Sequence, residues 1–189
     1  MPFFFDPFPT VNYDVKKNNK LEVLTNVTVR FRIQTALRNR TAIFYDYNVK
    51  DGERPDVIAH KYYNDPSLDW IILLTNNIIN PSFDWPLDSR SFDNYIIDKY
   101  GSINTAQNTI HHYEQIIRTQ SRTFDGTVIP EKTVWVDEDT YNTLSSDDRR
   151  IVYTYTYELE ENEAKAQIKI LDKRFVTRIV NEVDVIFEQ

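Results

Sequence analysis

Residues 66–75 read Pro-Ser-Leu-Asp-Trp-Ile-Ile-Leu-Leu-Thr, and a helix of that composition is apolar on nearly every side. Leu68, Ile71, Ile72 and Thr75 fall in one helical stripe; Trp70, Leu73 and Leu74 fall in another. Such a helix must be covered on more than one side. One cover lies just before it in the sequence. Ile43, Tyr45, Tyr47 and Val49 alternate with Phe44, Asp46 and Asn48, the period of a strand. Asp51-Gly52 breaks that run, since glycine accepts positive φ without steric cost. Pro55 suits the first turn of a helix whose face carries Ile58, Ala59 and Tyr62. Asp65 is placed to cap the apolar helix and Pro66 to start it. Its other side needs a further element or a partner.

At 189 residues the chain makes one domain of ordinary size or two small ones. A formal charge of −7 argues against nucleic-acid binding, which calls for a basic excess or patch. The densest basic group, Arg30, Arg32, Arg38 and Arg40, alternates with apolar residues and reads as a solvated strand face. With no cysteine there is no disulfide staple, thiolate metal site or thiol nucleophile, which fits a reducing compartment. The opening Met-Pro-Phe-Phe-Phe-Asp-Pro-Phe-Pro does not read as a signal peptide, and no segment is long enough to span a membrane. Only three glycines and 14% aromatics, mostly Tyr and Phe, lean towards a scaffold or interface role.

Residues 1–20 read as irregular, and Phe3, Phe4, Phe5 and Phe8 either pack on their own domain or anchor in a partner's groove. Val27, Val29, Phe31 and Ile33 alternate as a half-buried strand. Beyond Leu87, Phe92, Tyr95, Ile96 and Lys99 share a helix face, with Ser89 or Ser91 to cap and Gly101 at the C-terminal end. Residues 102–108 read as helical. Residues 110–122, 127–129 and 133–136 read as strands, with Asp125-Gly126 as a hairpin turn. Residues 137–149 read as an exposed polar loop. Alternating Thr and Tyr over 150–159 predicts a strand, which would set Tyr153, Tyr155 and Tyr157 on one flat aromatic face. Residues 158–165 read as an acidic helical turn, Ile168 and Ile170 as a short strand. Asp172 would cap a last helix with Val176, Ile179, Val180, Val183 and Phe187 on one face.

Chemistry-bearing patterns are sparse. His111 and His112 are adjacent, and on a regular strand they point to opposite faces, so one packs, one is solvated and no shared metal is expected. Glu53, Asp56, Asp65 and Asp69 cluster near the two helices, where N-terminal charges and caps explain them better than a glycosidase carboxylate pair. The sequence has no Gly-x-Ser-x-Gly, P-loop or dinucleotide turn. No cofactor and no catalytic residue is expected. Tyr62, Tyr63, Trp70 and Trp85 could stack on sugar rings, but large aromatics mostly serve cores and interfaces.

The order strand, Val49-Lys50-Asp51-Gly52-Glu53, a helix with Ile58-Ala59 and Tyr62, a second short helix and Asn80-Pro81 resembles a lysin motif (LysM), a small βααβ module. The usual Pro-Gly-Gln step into a second strand is replaced by Phe83-Asp84-Trp85-Pro86-Leu87, so neither that strand nor a sugar groove is legible there. A wider string is similar to the baseplate wedge subunit (wedge protein 53) family of T-even-like contractile-tail phages. It comprises Phe5-Asp6-Pro7-Phe8-Pro9, Asp51 to Asp56, Lys61-Tyr62-Tyr63, Asp69-Trp70, Thr75-Asn76-Asn77, Asp84-Trp85-Pro86, Lys99-Tyr100-Gly101, His111 to Glu114 and Asn162 to Lys165.

That resemblance implies a non-enzymatic virion component of the tail baseplate, assembled in the host cytoplasm. It implies contacts with the wedge core, a sheath-initiator-like protein, neighbouring wedges and the hub, and none with nucleic acid or membrane. The expected fold is α+β: a LysM-like βααβ unit, a mixed, largely antiparallel β region and a C-terminal helix. The expected segments are an arm and strand (1–41), the LysM-like domain with its following helix (42–101) and a C-terminal α+β region (102–189). The candidate partner-binding residues are Phe3, Phe4, Phe5, Phe8, Tyr63, Trp70, Trp85, Tyr153, Tyr155 and Tyr157. The alternative is a LysM-type module that binds peptidoglycan or chitin.

Overall fold

A computed structural model describes residues 8–29 and 43–187. Strands β1 (Thr10–Tyr13), β2 (Glu22–Thr25) and β3 (Phe44–Asn48) come first. Helix α1 (Pro55–Tyr63), a 3-10 turn (Pro66–Leu68), α2 (Asp69–Thr75) and α3 (Pro81–Asp84) follow. Next are α4 (Ser89–Tyr100), α5 (Ile103–Asn108) and strands β4 (Ile110–Arg118), β5 (Ser121–Arg122), β6 (Val128–Ile129) and β7 (Lys132–Val136). Helix α6 (Glu138–Thr143), β8 (Arg149–Tyr153), α7 (Thr154–Ala166), β9 (Gln167–Leu171) and α8 (Val176–Phe187) complete the chain. The fold is mixed α+β with antiparallel strand pairing and a C-terminal helix, as expected. No helix of the described residues is long and apolar enough to cross a membrane.

The contacts group into two compact units. The first holds the described residues up to Pro86 and from Lys165 onward; the second is Leu87–Ala164. These limits differ from the expected breaks at 41 and 101, because the partner of β3 lies far along the chain. Strand β9 pairs antiparallel with β3, from Phe44↔Leu171 to Asn48↔Gln167. In the first unit α1 and α2 pack on this sheet and on each other. The apolar helix is covered as its composition demands: Trp70, Ile71, Ile72 and Thr75 are buried with Ile58, Ala59, Ile168, Ile170 and Leu171. Val176 and Val183 of α8 join the same core. Within this core β3, α1, α2 and β9 follow one another in the chain, with α3 and the whole second unit intervening before β9.

Local signals act as read. The Asp65 carboxylate accepts the Ser67 N–H at 2.9 Å, and Pro66 opens the turn. Gly101 closes α4 at φ +83°. Four expectations are corrected. Asp88, not Ser89 or Ser91, caps α4, accepting the Arg90 and Ser91 N–H groups. The stretch 137–149 is not a loop: Asp137 caps α6 through the Thr140 N–H. Residues 150–159 are not one strand: β8 ends at Tyr153 and α7 starts at Thr154, so no three-tyrosine face forms. The region 1–20 is not wholly irregular: Thr10–Tyr13 pairs with Glu22–Thr25. Of the strand expected at 27–33, Val27 and Thr28 form a turn, and 30–33 lie outside the described residues.

Candidate partner-binding surfaces

The β1–β2 hairpin is built by its turn. The Asp14 carboxylate accepts the N–H groups of Asn18 at 3.0 Å and Asn19 at 2.6 Å, while Lys17 and Asn19 take positive φ. Register sets Val11 opposite Leu24 and Asn12 opposite Val23. Every residue of both strands is exposed. Val11, Tyr13, Val15, Leu21, Val23, Leu24 and Val27 all show more than a third of their surface, Val23 as much as 69%. A lone two-stranded hairpin is marginal in water, and bare apolar surface of this extent is the physical mark of an interaction site. The sequence signal was present, as Val11, Tyr13 and Val15 alternate ahead of Asn18-Asn19. The nearby prolines and phenylalanines masked it.

The second unit has its own exposed rings. Phe124, at the tip of the β5–β6 hairpin, is fully exposed, and Trp135 on β7 is 60% exposed. Trp135 is part of a four-ring cluster. The His112 ring stacks on it with centroids 4.1 Å apart, and the His111 ring stacks on Tyr157 at 3.8 Å. The opposite-face reading of the two histidines does not hold. The β4–β8 register slips between Ile110 and His112, and across that bulge the imidazoles meet, Nδ1 to Nδ1, at 2.8 Å. Beside them Arg150 forks onto Glu114, Nη2 at 2.6 Å and Nε at 2.9 Å, and Thr133 donates to the other carboxylate oxygen at 3.1 Å. Burial pushes the Glu114 carboxyl up, but hydrogen bonds from Arg150, His112 and Thr133 outweigh it and hold it below the ordinary carboxylate range. Among the described residues no three His, Asp or Glu side chains are placed to hold a metal.

The structure disperses the residues singled out in the sequence. Phe3, Phe4 and Phe5 lie outside the described residues, and Phe8 is buried. Trp70 and Trp85 are buried in the first core, and the Trp85 Nε1–H donates to the Glu53 carbonyl at 2.9 Å. Tyr63 is half-buried and donates to the Leu171 carbonyl at 3.1 Å; burial pushes its phenol pKa up. Tyr153 is exposed on β8. Tyr155 packs edge-on against Phe92 at 5.6 Å, and Tyr157 belongs to the His111 stack.

The carboxylates near α1 and α2 do structural work. Glu53 accepts the Tyr47 hydroxyl at 2.6 Å, the Lys50 N–H at 3.2 Å and the Lys61 ammonium at 3.4 Å. Asp56 lies in the first turn of α1 and Asp69 in that of α2.

Two comparisons identify the chain. The family described as "Base plate wedge protein 53" matches residues 3–186. The chain is also similar to baseplate wedge protein gp53 of Enterobacteria phage T4, 25% identical over 98% of this chain and 95% of that protein. The chain therefore belongs to the base plate wedge protein 53 family and is a structural component of a phage tail baseplate.

Proposed function

We propose that the chain is an assembly adaptor without catalytic activity: it binds the wedge core and a sheath-initiator-like subunit and helps neighbouring wedges join around the hub. The observation that carries this is the β1–β2 hairpin, exposed on both faces and rich in bare apolar side chains. Burying one such side chain contributes about 1.5–3 kcal/mol, so a few suffice for a stable contact. Phe124 and Trp135 offer further anchors on the second unit, and Phe3, Phe4, Phe5 and Tyr153 remain candidates. Trp70, Trp85 and Tyr63 would act indirectly, by fixing the βααβ core that carries the hairpin's unit. The order β3, α1, α2, β9 supports a LysM-like reading of that core, employed for packing rather than for sugars.

The test is size exclusion with light scattering on the protein mixed with the wedge-core and sheath-initiator-like subunits of the same genome. Wild type should co-migrate. The double variant Val11→Asp and Leu24→Asp should elute alone with an unchanged circular dichroism spectrum. Wild type eluting as an inert monomer in every mixture, or the double variant still binding fully, would refute the proposal.

A further inference from the structure

The His111–His112 contact has a protonation logic that its partners fix. The His112 Nε2 lies 3.4 Å from Glu114 Oε1 and the His112 side chain is nearly buried, so Nε2 carries the hydrogen shared with the carboxylate. The His112 Nδ1 is then a bare lone pair. It faces His111 Nδ1 at 2.8 Å, so the latter is the donor. In that tautomer His111 Nε2 is the one basic nitrogen the pair leaves open, on a residue exposed to solvent. A first proton goes there and keeps every hydrogen bond intact. A second must go to His112 Nδ1. Two N–H groups would then face each other at a distance that only a donor and an acceptor tolerate, on two like charges.

The groups around the pair do not relieve this. On β4 the facing charge is Glu114. On β8 it is Arg150, already forked onto Glu114. Ahead of β7 it is Glu131, engaged by Arg150 at 2.9 Å. On α7 the facing group is the phenol ring of Tyr157, in the stack with His111. Glu114 and Glu131 share the one Arg150 guanidinium, so a single carboxylate charge is left to balance one imidazolium, and it does nothing for two N–H groups that face each other.

We propose that His111 and His112 form a proton-operated latch within the second unit. While the pair holds no more than one extra proton, the stacked rings fasten β7, through Trp135, and α7, through Tyr157, to the bulge of β4. The second proton parts the imidazoles and frees both rings. The latch is closed while His112 Nδ1 is unprotonated and opens on acidification, as stability tied to an unprotonated nitrogen must.

The test is 15N NMR of the full chain, acidified from about pH 8 until both imidazoles are protonated. Near pH 8 the long-range imidazole spectrum should show His112 protonated at Nε2 and His111 at Nδ1. On acidification the Trp135 indole signal should shift in step with the second imidazole protonation. His112→Gln should leave that signal insensitive to pH, and in His111→Phe, which has no facing N–H, the Trp135 signal should follow the single protonation of His112 instead. A Trp135 signal that stays put in wild type, or His112 carrying its hydrogen at Nδ1 near pH 8, would overturn the latch. The tautomer measurement on wild type decides even if a variant fails to fold.

Discussion

At the scale of single residues, buried Thr75 and half-buried Glu158 are opposite cases of a polar side chain turned inward. Thr75 is 0% exposed and its hydroxyl has no hydrogen-bond partner. An unpaired buried hydroxyl costs free energy that an isosteric methyl does not. Thr75→Val should therefore raise stability by about 1 kcal/mol, read as a higher urea midpoint at unchanged slope. Glu158 is the satisfied case. It accepts Tyr100 at 2.6 Å, Lys99 at 2.7 Å and Tyr95 at 3.0 Å. Burial pushes its carboxyl up, yet the hydrogen bonds from Lys99, Tyr100 and Tyr95 prevail and hold it below the ordinary range. A carboxyl depressed in the folded state stabilises fully above its unfolded pKa, about 4.3 for glutamate, and loses that contribution as pH falls below it. Glu158→Gln should cost about 2 kcal/mol at neutral pH and flatten part of the acid limb of a melting-temperature profile. An unchanged acid limb would show that other carboxylates carry it.

At the scale of elements, Asn76 explains how the apolar helix and the late strand find each other. Its amide donates to the Lys169 carbonyl at 2.8 Å and accepts the Lys169 N–H at 2.7 Å. A second donation goes to Ile72, at the end of α2. The side chain thus stands in for a neighbouring strand along β9. Asn76→Ala leaves the Lys169 peptide groups unpaired in a half-buried setting and should cost about 2–3 kcal/mol; Asn76→Asp, which cannot donate, should recover little. Faster amide exchange at Lys169 in Asn76→Ala, but not in Asn76→Asp, which keeps the oxygen that accepts the Lys169 N–H, is the check. The sequence around Asn76 announces a helix end but not this partner, and the same limit runs through the fold. Caps and turns such as Asp65-Pro66, Gly101 and Asp125-Gly126 are legible because the physics is local. The pairing of β3 with β9 is not, since nothing near Tyr47 names Ile168 as its opposite. The Thr-Tyr alternation over 153–157 misleads because strand propensity yields to tertiary context. Tyr155 against Phe92, and Glu158 on Lys99, hold that stretch as helix. Among the candidate site residues, ring type was legible and exposure was not: Trp70 and Trp85 are core, while Trp135, not singled out, is bare.

At the scale of the molecule, the second unit is an insertion into the first, entering after Pro86 and leaving before Lys165. Its two ends are tied together. The Leu87 N–H donates to the Asn162 side chain at 2.8 Å, and the Asn162 amide donates back to the Leu87 carbonyl at 3.0 Å. Phe92, Ile96 and Ala106 form a core of their own, with Tyr155 and Leu159 packed against it, beside the sheet β7-β4-β8. A segment with adjacent ends, its own core and its own sheet meets the conditions under which an inserted domain folds alone. Residues 87–164 expressed alone should therefore give dispersed amide resonances and one cooperative melt. Asn162→Ala should lower the midpoint of that melt by roughly 8–16 °C, the effect of about 2 kcal/mol in a domain of this size. Collapsed resonances and no thermal transition for the isolated segment would show that the first unit is needed to hold the second, and that the hydrogen-bonded closure at Leu87 and Asn162 does not make it self-sufficient.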